Sequence, residues 1–173
     1  MTRGESRAVV IRPVRDRELD LLQAIEVAAG AMFRDVGMPE IAEHAPPSVD
    51  ELAVAAAVLV AVDDVDVPVG YAWLEVVDGH AHLEQVSVLP SHGRRGVGSA
   101  LLDAAADWAR RRGDTEITLT AFRDVPFNAP LYRRRGYEEI ADRDRGPELI
   151  SLMASEAAHG LDPAQRVAMR HCL

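Results

Sequence analysis

A mixed α/β fold, with about seven strands flanked by helices, is what this sequence predicts. Three observations predict it. β-branched apolar runs alternate with stretches of helical period along the whole chain. The dipeptide Asp78-Gly79 joins two such runs directly, the signal of a tight hairpin. From Leu83 to Leu102 the chain reads as a β-branched run, a loop rich in Gly and Arg, and an Ala/Leu-rich helix.

Ala8–Arg12 is the first expected strand, ended by Pro13, which lacks a donor. Asp16 stands in N-cap position for a helix whose apolar stripe is Leu19, Leu22, Ile25 and Ala29, interrupted by Glu26. Met32 to Pro47 is irregular; its Met32, Phe33, Val36 and Met38 suit either core packing or a soft pocket wall. Ser48 and Glu51 have capping-box spacing for a short helix. Val58–Val62 is the second strand, closed by Asp63-Asp64-Val65-Asp66, read as a solvated turn because its spacing fits no calcium loop. Val69–Val77 and Ala81–Leu89 are the two arms of the hairpin. The next helix presents Leu101, Ala105, Trp108 and Ala109 on one stripe. It ends in Arg110-Arg111-Arg112 and Gly113, cations at the negative end of the dipole and a glycine C-cap. Glu116–Ala121 is the fifth strand, Pro126–Arg134 holds a short helix, and Gly136-Tyr137 begins another strand. Gly146-Pro147-Glu148 opens a helix that Gly160 stops, and Arg166–Arg170 is the last strand.

At 173 residues the chain is expected to form a single domain. Its composition, 48% hydrophobic and 27% charged, is that of a globular protein. A net charge of -9 argues against nucleic acid and anionic membrane as partners and favours cationic or neutral ones. No apolar run is long enough to span a bilayer. The N-terminal Met-Thr-Arg-Gly-Glu-Ser-Arg has no signal-peptide core. The single cysteine, Cys172, excludes an internal disulfide and points to the cytoplasm. All 19 basic residues are arginine, which codon usage in a GC-rich genome explains without a function.

The chemistry concentrates in the strand–loop–helix unit. A helix N-terminus presents N–H groups with no internal partner, its dipole favours negative charge, and glycines let a phosphate reach the backbone. The unit therefore predicts a phosphate-bearing ligand. No metal is expected, because His80, His82 and His92 lie at or near turns with no cysteine beside them.

Two blocks carry a family likeness. Val86-Ser-Val-Leu-Pro-Ser-His-Gly-Arg-Arg-Gly-Val-Gly-Ser-Ala-Leu-Leu102 resembles the acyl-CoA pyrophosphate loop of the GNAT (GCN5-related N-acetyltransferase) superfamily. Phe127-Asn-Ala-Pro-Leu-Tyr-Arg-Arg-Arg-Gly-Tyr137 resembles its Asn-x-x-x-Tyr-x-x-x-Gly-aromatic signature. The likeness in element order covers roughly residues 8–140. It departs from the family at Gly93, where a Gln or Arg is usual and Arg94 and Arg95 can supply the cation. It departs most over residues 141–173, where a helix precedes the last strand.

The resemblance implies that the strands are mostly antiparallel, with a splayed pair of strands four and five, and that acetyl-CoA is the cosubstrate. Val86, Ser87 and Val88 would hold the pantetheine arm through their backbone, and a backbone N–H there would polarise the thioester. Gly93, Arg94, Arg95, Gly96, Val97, Gly98 and Ser99 would hold the pyrophosphate. Tyr132 matches the family's general acid. Asn128 would bond to the CoA arm, cap its helix, or both. Glu84 is the preferred general base, sharing one strand face with His82, Val86 and Val88 under strict alternation; His82 is the alternative base. Cys172 is not expected to be a nucleophile. The implied activity is acetyl transfer to a primary amine, small molecule or peptide, by direct attack. The rival readings are a non-catalytic acyl-CoA-binding regulatory module and a modifier of RNA-linked amines, the latter disfavoured by the acidic balance. A homodimer is the default association.

Overall fold

The structure, a computed structural model, describes residues 9–173. Ala8, expected to open the first strand, and the N-terminal heptapeptide lie outside the described residues. The seven strands are β1 (Val10–Pro13), β2 (Ala57–Val62), β3 (Pro68–Val77), β4 (His80–Val88), β5 (Glu116–Phe122), β6 (Glu138–Glu139) and β7 (Arg166–Cys172). They form one sheet in the order β1-β2-β3-β4-β5-β7-β6. β1 and β2, β5 and β7, and β6 and β7 pair antiparallel, while β4 and β5 are parallel. The helices are α1 (Leu19–Gly30), α2 (Pro39–Ala42), α3 (Val49–Ala53), α4 (Val97–Arg112), α5 (Ala129–Arg134) and α6 (Pro147–Ala158). No helix among the described residues is long and apolar enough to cross a membrane.

The chain resolves into two compact units. One comprises the chain up to Ala72 together with Val86–Ala104, and the other Trp73–Gln85 with Ala105–Leu173. In the first, α1 buries Leu19, Leu22 and Ile25, and Val60, Ala61 and Leu101 are fully enclosed. Ser48 caps α3 as its spacing indicates: its hydroxyl accepts the Glu51 N–H at 3.1 Å, and the Glu51 carboxylate accepts the Ser48 N–H at 2.7 Å.

The entry to α1 differs from expectation. Asp16 begins a 3-10 turn (Asp16–Glu18) and caps nothing. Glu18 stands before α1 without a side-chain cap bond to it; its carboxylate instead closes the 3-10 turn, accepting the Arg15 N–H at 2.9 Å and taking the Arg12 guanidinium on both oxygens. The acidic turn also differs. Asp66, in the left-handed region at φ 64, accepts from Arg12 at 2.8 Å and from Arg15 at 2.6 Å, so it is an ion-pair partner and not merely solvated. Met32 and Val36 stand exposed in the 3-10 stretch Ala31–Val36, and Phe33 and Met38 are half-buried; core packing does not claim them.

In the second unit, Val77, Ile140, Leu149 and Ala168 form a buried cluster joined by Leu152 and Met153 of α6. The Asp78-Gly79 turn has φ 51 and 79, the doubly left-handed geometry of a type I′ hairpin. That two-residue turn sets Val77 opposite His80. Further along the same hairpin the Leu89 N–H donates to the Val69 carbonyl at 2.8 Å. β4 therefore carries one residue more than β3 between these points, a β-bulge. The alternation expected for His82, Glu84, Val86 and Val88 does not run unbroken.

Candidate active site

In the first unit, β4 leaves its last residue, Val88, for the 3-10 turn Pro90–His92 and then for the exposed stretch Gly93–Gly96. Arg94 (φ 57) and Gly96 (φ 82) are left-handed, and together they swing the chain into α4. The Ala100 N–H makes the first helical bond, to the Gly96 carbonyl at 2.9 Å. The N–H groups before it lie in the first turn, where a helix has no carbonyl to offer them. Val97 is buried and anchors this turn, while Gly98 and Ser99 are half-buried.

The strand that feeds the turn is pinned closely. A Cβ on Gly70 of β3 would stand 2.9 Å from the Ser87 carbonyl, 3.2 Å from Val88 and 3.3 Å from Leu101, so only glycine lets β3, β4 and α4 approach this far. The Ser87 side chain is 5% exposed, and its hydroxyl donates to Glu26 of α1 at 2.6 Å. The Tyr71 phenol donates to the same Glu26 oxygen at 2.7 Å.

In the second unit, the β4–β5 ladder joins Ala81, His82 and Leu83 to Ile117, Thr118 and Leu119 and goes no further. Glu84 and Gln85 of β4 and Thr120–Phe122 of β5 continue past it, the divergence the family likeness implies. Glu84 has a side chain 31% exposed, with Oε2 3.6 Å from the Nε2 of His82. His82 is sealed at 1% exposure, its Nδ1 2.8 Å from the Thr118 hydroxyl, and burial pulls it down to about 4. It is a buried histidine that burial holds neutral above about pH 4, behind the part-exposed Glu84.

Tyr132 sits on α5, 7% exposed, with the Tyr137 ring edge-on at 5.6 Å. Burial raises its phenol above the ordinary range, Tyr137 adds to this, and Arg166 opposes it. Asn128 holds the residue position before α5, but its side chain makes no cap. Its Oδ1 instead accepts the Phe122 N–H at 3.1 Å, tying off the end of β5. The capping half of the expectation for Asn128 is thus replaced by a strand-ending one. Beside it, Arg166 bonds Thr120 at 2.8 Å and Glu156 at 3.0 Å and lies over the Phe122 ring at 4.6 Å.

Val86–Val88 and Gly93–Ser99 thus fall together in one unit, and Glu84, Asn128 and Tyr132 in the other. Among the described residues no group of three or more His, Cys, Asp or Glu is placed to hold a metal. Glu26 and Arg166 were not anticipated. Glu26 did carry a signal, a carboxylate on the apolar stripe of its helix; Arg166 had none, because its partners come from distant elements.

The family model for the acetyltransferase (GNAT) family matches residues 23–137. The mycothiol acetyltransferase of Clavibacter sepedonicus is 38% identical over 72 residues, 42% of this chain and 24% of that protein. The aminoglycoside N(6')-acetyltransferase type 1 of Klebsiella aerogenes is 37% identical over 99 residues, 53% of this chain and 65% of that one. The chain therefore spans less than two thirds of the length of the relatives it matches. Among solved structures, the PaiA N-acetyltransferase of Thermoplasma acidophilum with coenzyme A superposes at TM-score 0.67, 15% identical, over 96% of this chain and 99% of that one. The N-acetylglutamate synthase of Neisseria gonorrhoeae, with coenzyme A and N-acetyl-glutamate, reaches 0.73 at 15% identity over 98% and 36%. These likenesses show the same fold, and with the match to the family model they lead to one statement. The chain belongs to the GNAT family of acetyltransferases.

Proposed function

We propose that this chain is an acetyl-CoA-dependent N-acetyltransferase that passes the acetyl group to a primary amine by direct attack in a ternary complex. The observation that carries this reading is the course of β4. Paired with β5 only as far as Leu83, it continues through Val86–Val88 into a glycine-rich turn and the N-terminus of α4. Backbone groups beyond a ladder suit the amides of a pantetheine arm, and a helix N-terminus suits a pyrophosphate. Gly98 supports the second assignment. A Cβ there would make only ordinary contact with Val88, at 3.9 Å, so the protein's packing does not demand glycine while a phosphate on bare backbone does.

In this reading Val86, Ser87 and Val88 hold the arm. Gly93 through Ser99 hold the pyrophosphate, with Arg94 and Arg95 as its cations, and Asn128 supports the arm from the end of β5. Glu84 takes a proton from the acceptor ammonium, directly or through a water. The freed amine forms the N–C bond, and the nitrogen gives up its second proton to solvent as the C–S bond breaks. The Tyr132 phenol donates to the departing sulfur and regains its proton from solvent, and Glu84 releases its proton to solvent. A backbone N–H of β4 polarises the thioester carbonyl. The reaction needs no metal and is placed in the cytoplasm.

The acceptor is an amine, and the net charge of -9 suits a cationic one. Aminoglycosides and amino-sugar thiols, after the names of the relatives, are the first compounds to offer. Release of free CoA, followed by thiol titration over a panel of amines, tests the reading. Steady release supports it. Tight acetyl-CoA binding with no turnover on any amine selects the non-catalytic acyl-CoA-binding module instead.

A further inference from the structure

Glu26 lies on the side of α1 that carries Leu19, Leu22 and Ile25, where a carboxylate is costly unless it is well partnered. It is well partnered. One oxygen, Oε2, accepts two hydroxyls, from Tyr71 of β3 at 2.7 Å and from Ser87 of β4 at 2.6 Å. Tyr71 is fully buried, and both its burial and the nearby carboxylate raise its phenol far above the ordinary range, so it is a donor at every working pH. The same Ser87 is approached on its backbone by Gly70, where no Cβ fits. Ser87 belongs to the part of β4 beyond the ladder with β5, which stops at Leu83. Beyond that ladder, the bond from the Ser87 hydroxyl to Glu26 ties the strand to α1.

We infer that Glu26 is a positioning residue for the cosubstrate strand: through Ser87 it fixes the backbone of Val86–Val88 in the place required to receive the pantetheine arm. The inference rests on the acetyl-CoA reading above. It assigns Glu26 neither the proton transfer nor the charge recognition of the acceptor. What Glu26 supplies is an oxygen that accepts two O–H donors at one point, which a glutamine carbonyl supplies equally well.

The test is acetyl-CoA binding by calorimetry, with steady-state kinetics on whichever amine turns over, for wild type, Glu26→Gln, Glu26→Leu and Ser87→Ala. Glu26→Leu is expected to raise the Kd and KM for acetyl-CoA about tenfold, as loss of preorganised geometry does, with kcat at saturation within about threefold. Ser87→Ala, which keeps α1 bonded to Tyr71 and serves if the leucine variant fails to fold, should raise them about threefold. Glu26→Gln should restore wild-type values for both. Wild-type acetyl-CoA affinity in folded Glu26→Leu and in Ser87→Ala overturns the inference and leaves the acetyl-CoA reading standing. Glu26→Gln as impaired as Glu26→Leu also overturns it, because the charge would then be what matters. No acetyl-CoA binding by the wild type removes the reading itself and the inference with it.

Discussion

A phenol buried as deeply as Tyr132 is a stable proton donor, because burial raises its pKa and no pH at which the protein works ionises it. Full transfer from such a phenol to a thiolate, whose own pKa is near 8.5 by the cysteine reference, runs uphill. In the proposed mechanism Tyr132 acts first through a hydrogen bond that strengthens as negative charge builds on sulfur, and the uphill transfer is completed when solvent returns a proton to the phenol. Tyr132→Phe removes that donor and nothing else of size. Turnover should fall by about 100-fold, within the range of a general acid, while the Kd for acetyl-CoA stays within about twofold. Unchanged kcat would take Tyr132 out of the chemistry. Glu84→Gln is expected to lower kcat/KM by a similar factor, whereas His82 variants that fold should not. At 1% exposure His82 does not meet solvent, and burial lowers it to about 4.

At the scale of elements, the β3–β4 hairpin does more than reverse the chain. Asp78, left-handed in the turn, accepts the N–H groups of Glu148 at 2.9 Å and Leu149 at 3.0 Å, and the Glu148 carboxylate accepts the Asp78 N–H in return. The hairpin tip thereby caps α6. Gly146 stands where a Cβ would fall 2.2 Å from the Asp78 carboxyl carbon, so its glycine makes room for the cap. Asp78→Asn keeps a residue that tolerates the left-handed turn but replaces the twice-accepting carboxylate. It should cost about 1 kcal/mol, the worth of a cap. Gly146→Ala should cost as much by displacing the carboxylate. The double variant in thermal melts should lose clearly less than the two losses added, because both act on one interaction. Additive losses would separate them. This contact also marks the limit of the sequence. Asp78-Gly79 announces its hairpin locally, as Ser48 with Glu51 announces its cap and Gly113 its helix end. The partners of Asp78 lie seventy residues on, and the partners of Glu26 on two strands whose register a bulge has shifted. Local patterns announce the strands, the turn and the helix that follows the glycine-rich loop. What long-range pairing decides, including the side-chain clamp on Ser87 and the strand-ending bond of Asn128, no spacing rule could supply.

For the molecule as a whole, the buried ionisable groups set how stability follows pH. His82 falls to about 4 when folded from an ordinary value of 6.5, the direction burial imposes on a group that loses solvation when charged. Between those values the unfolded chain binds the proton and the folded one does not, so the contribution is complete above about pH 6.5 and is lost as pH falls towards 4. Glu18 moves the other way in origin but not in consequence. Its bonds from Arg12, then from the Arg15 N–H, outweigh burial and lower it from 4.5 to about 2, so its contribution is present above about pH 4.5 and fades towards 2. The two windows follow one another, which predicts a two-part acid decline in the melting temperature. The upper part belongs to His82, about 3 kcal/mol for a shift of this size in a sealed group. The lower part belongs to the β1–α1 entry that Glu18 holds. Melting followed from pH 7.5 to pH 3 on the wild type, His82→Gln and Glu18→Gln checks the assignment. His82→Gln, whatever its offset in neutral solution, should flatten the curve between pH 6.5 and 4 and leave the decline below 4.5 intact. Glu18→Gln should do the reverse. A histidine variant that keeps the full upper decline would mean that some other group takes up the proton there, and that burial of His82 is not what the acid side of this fold turns on.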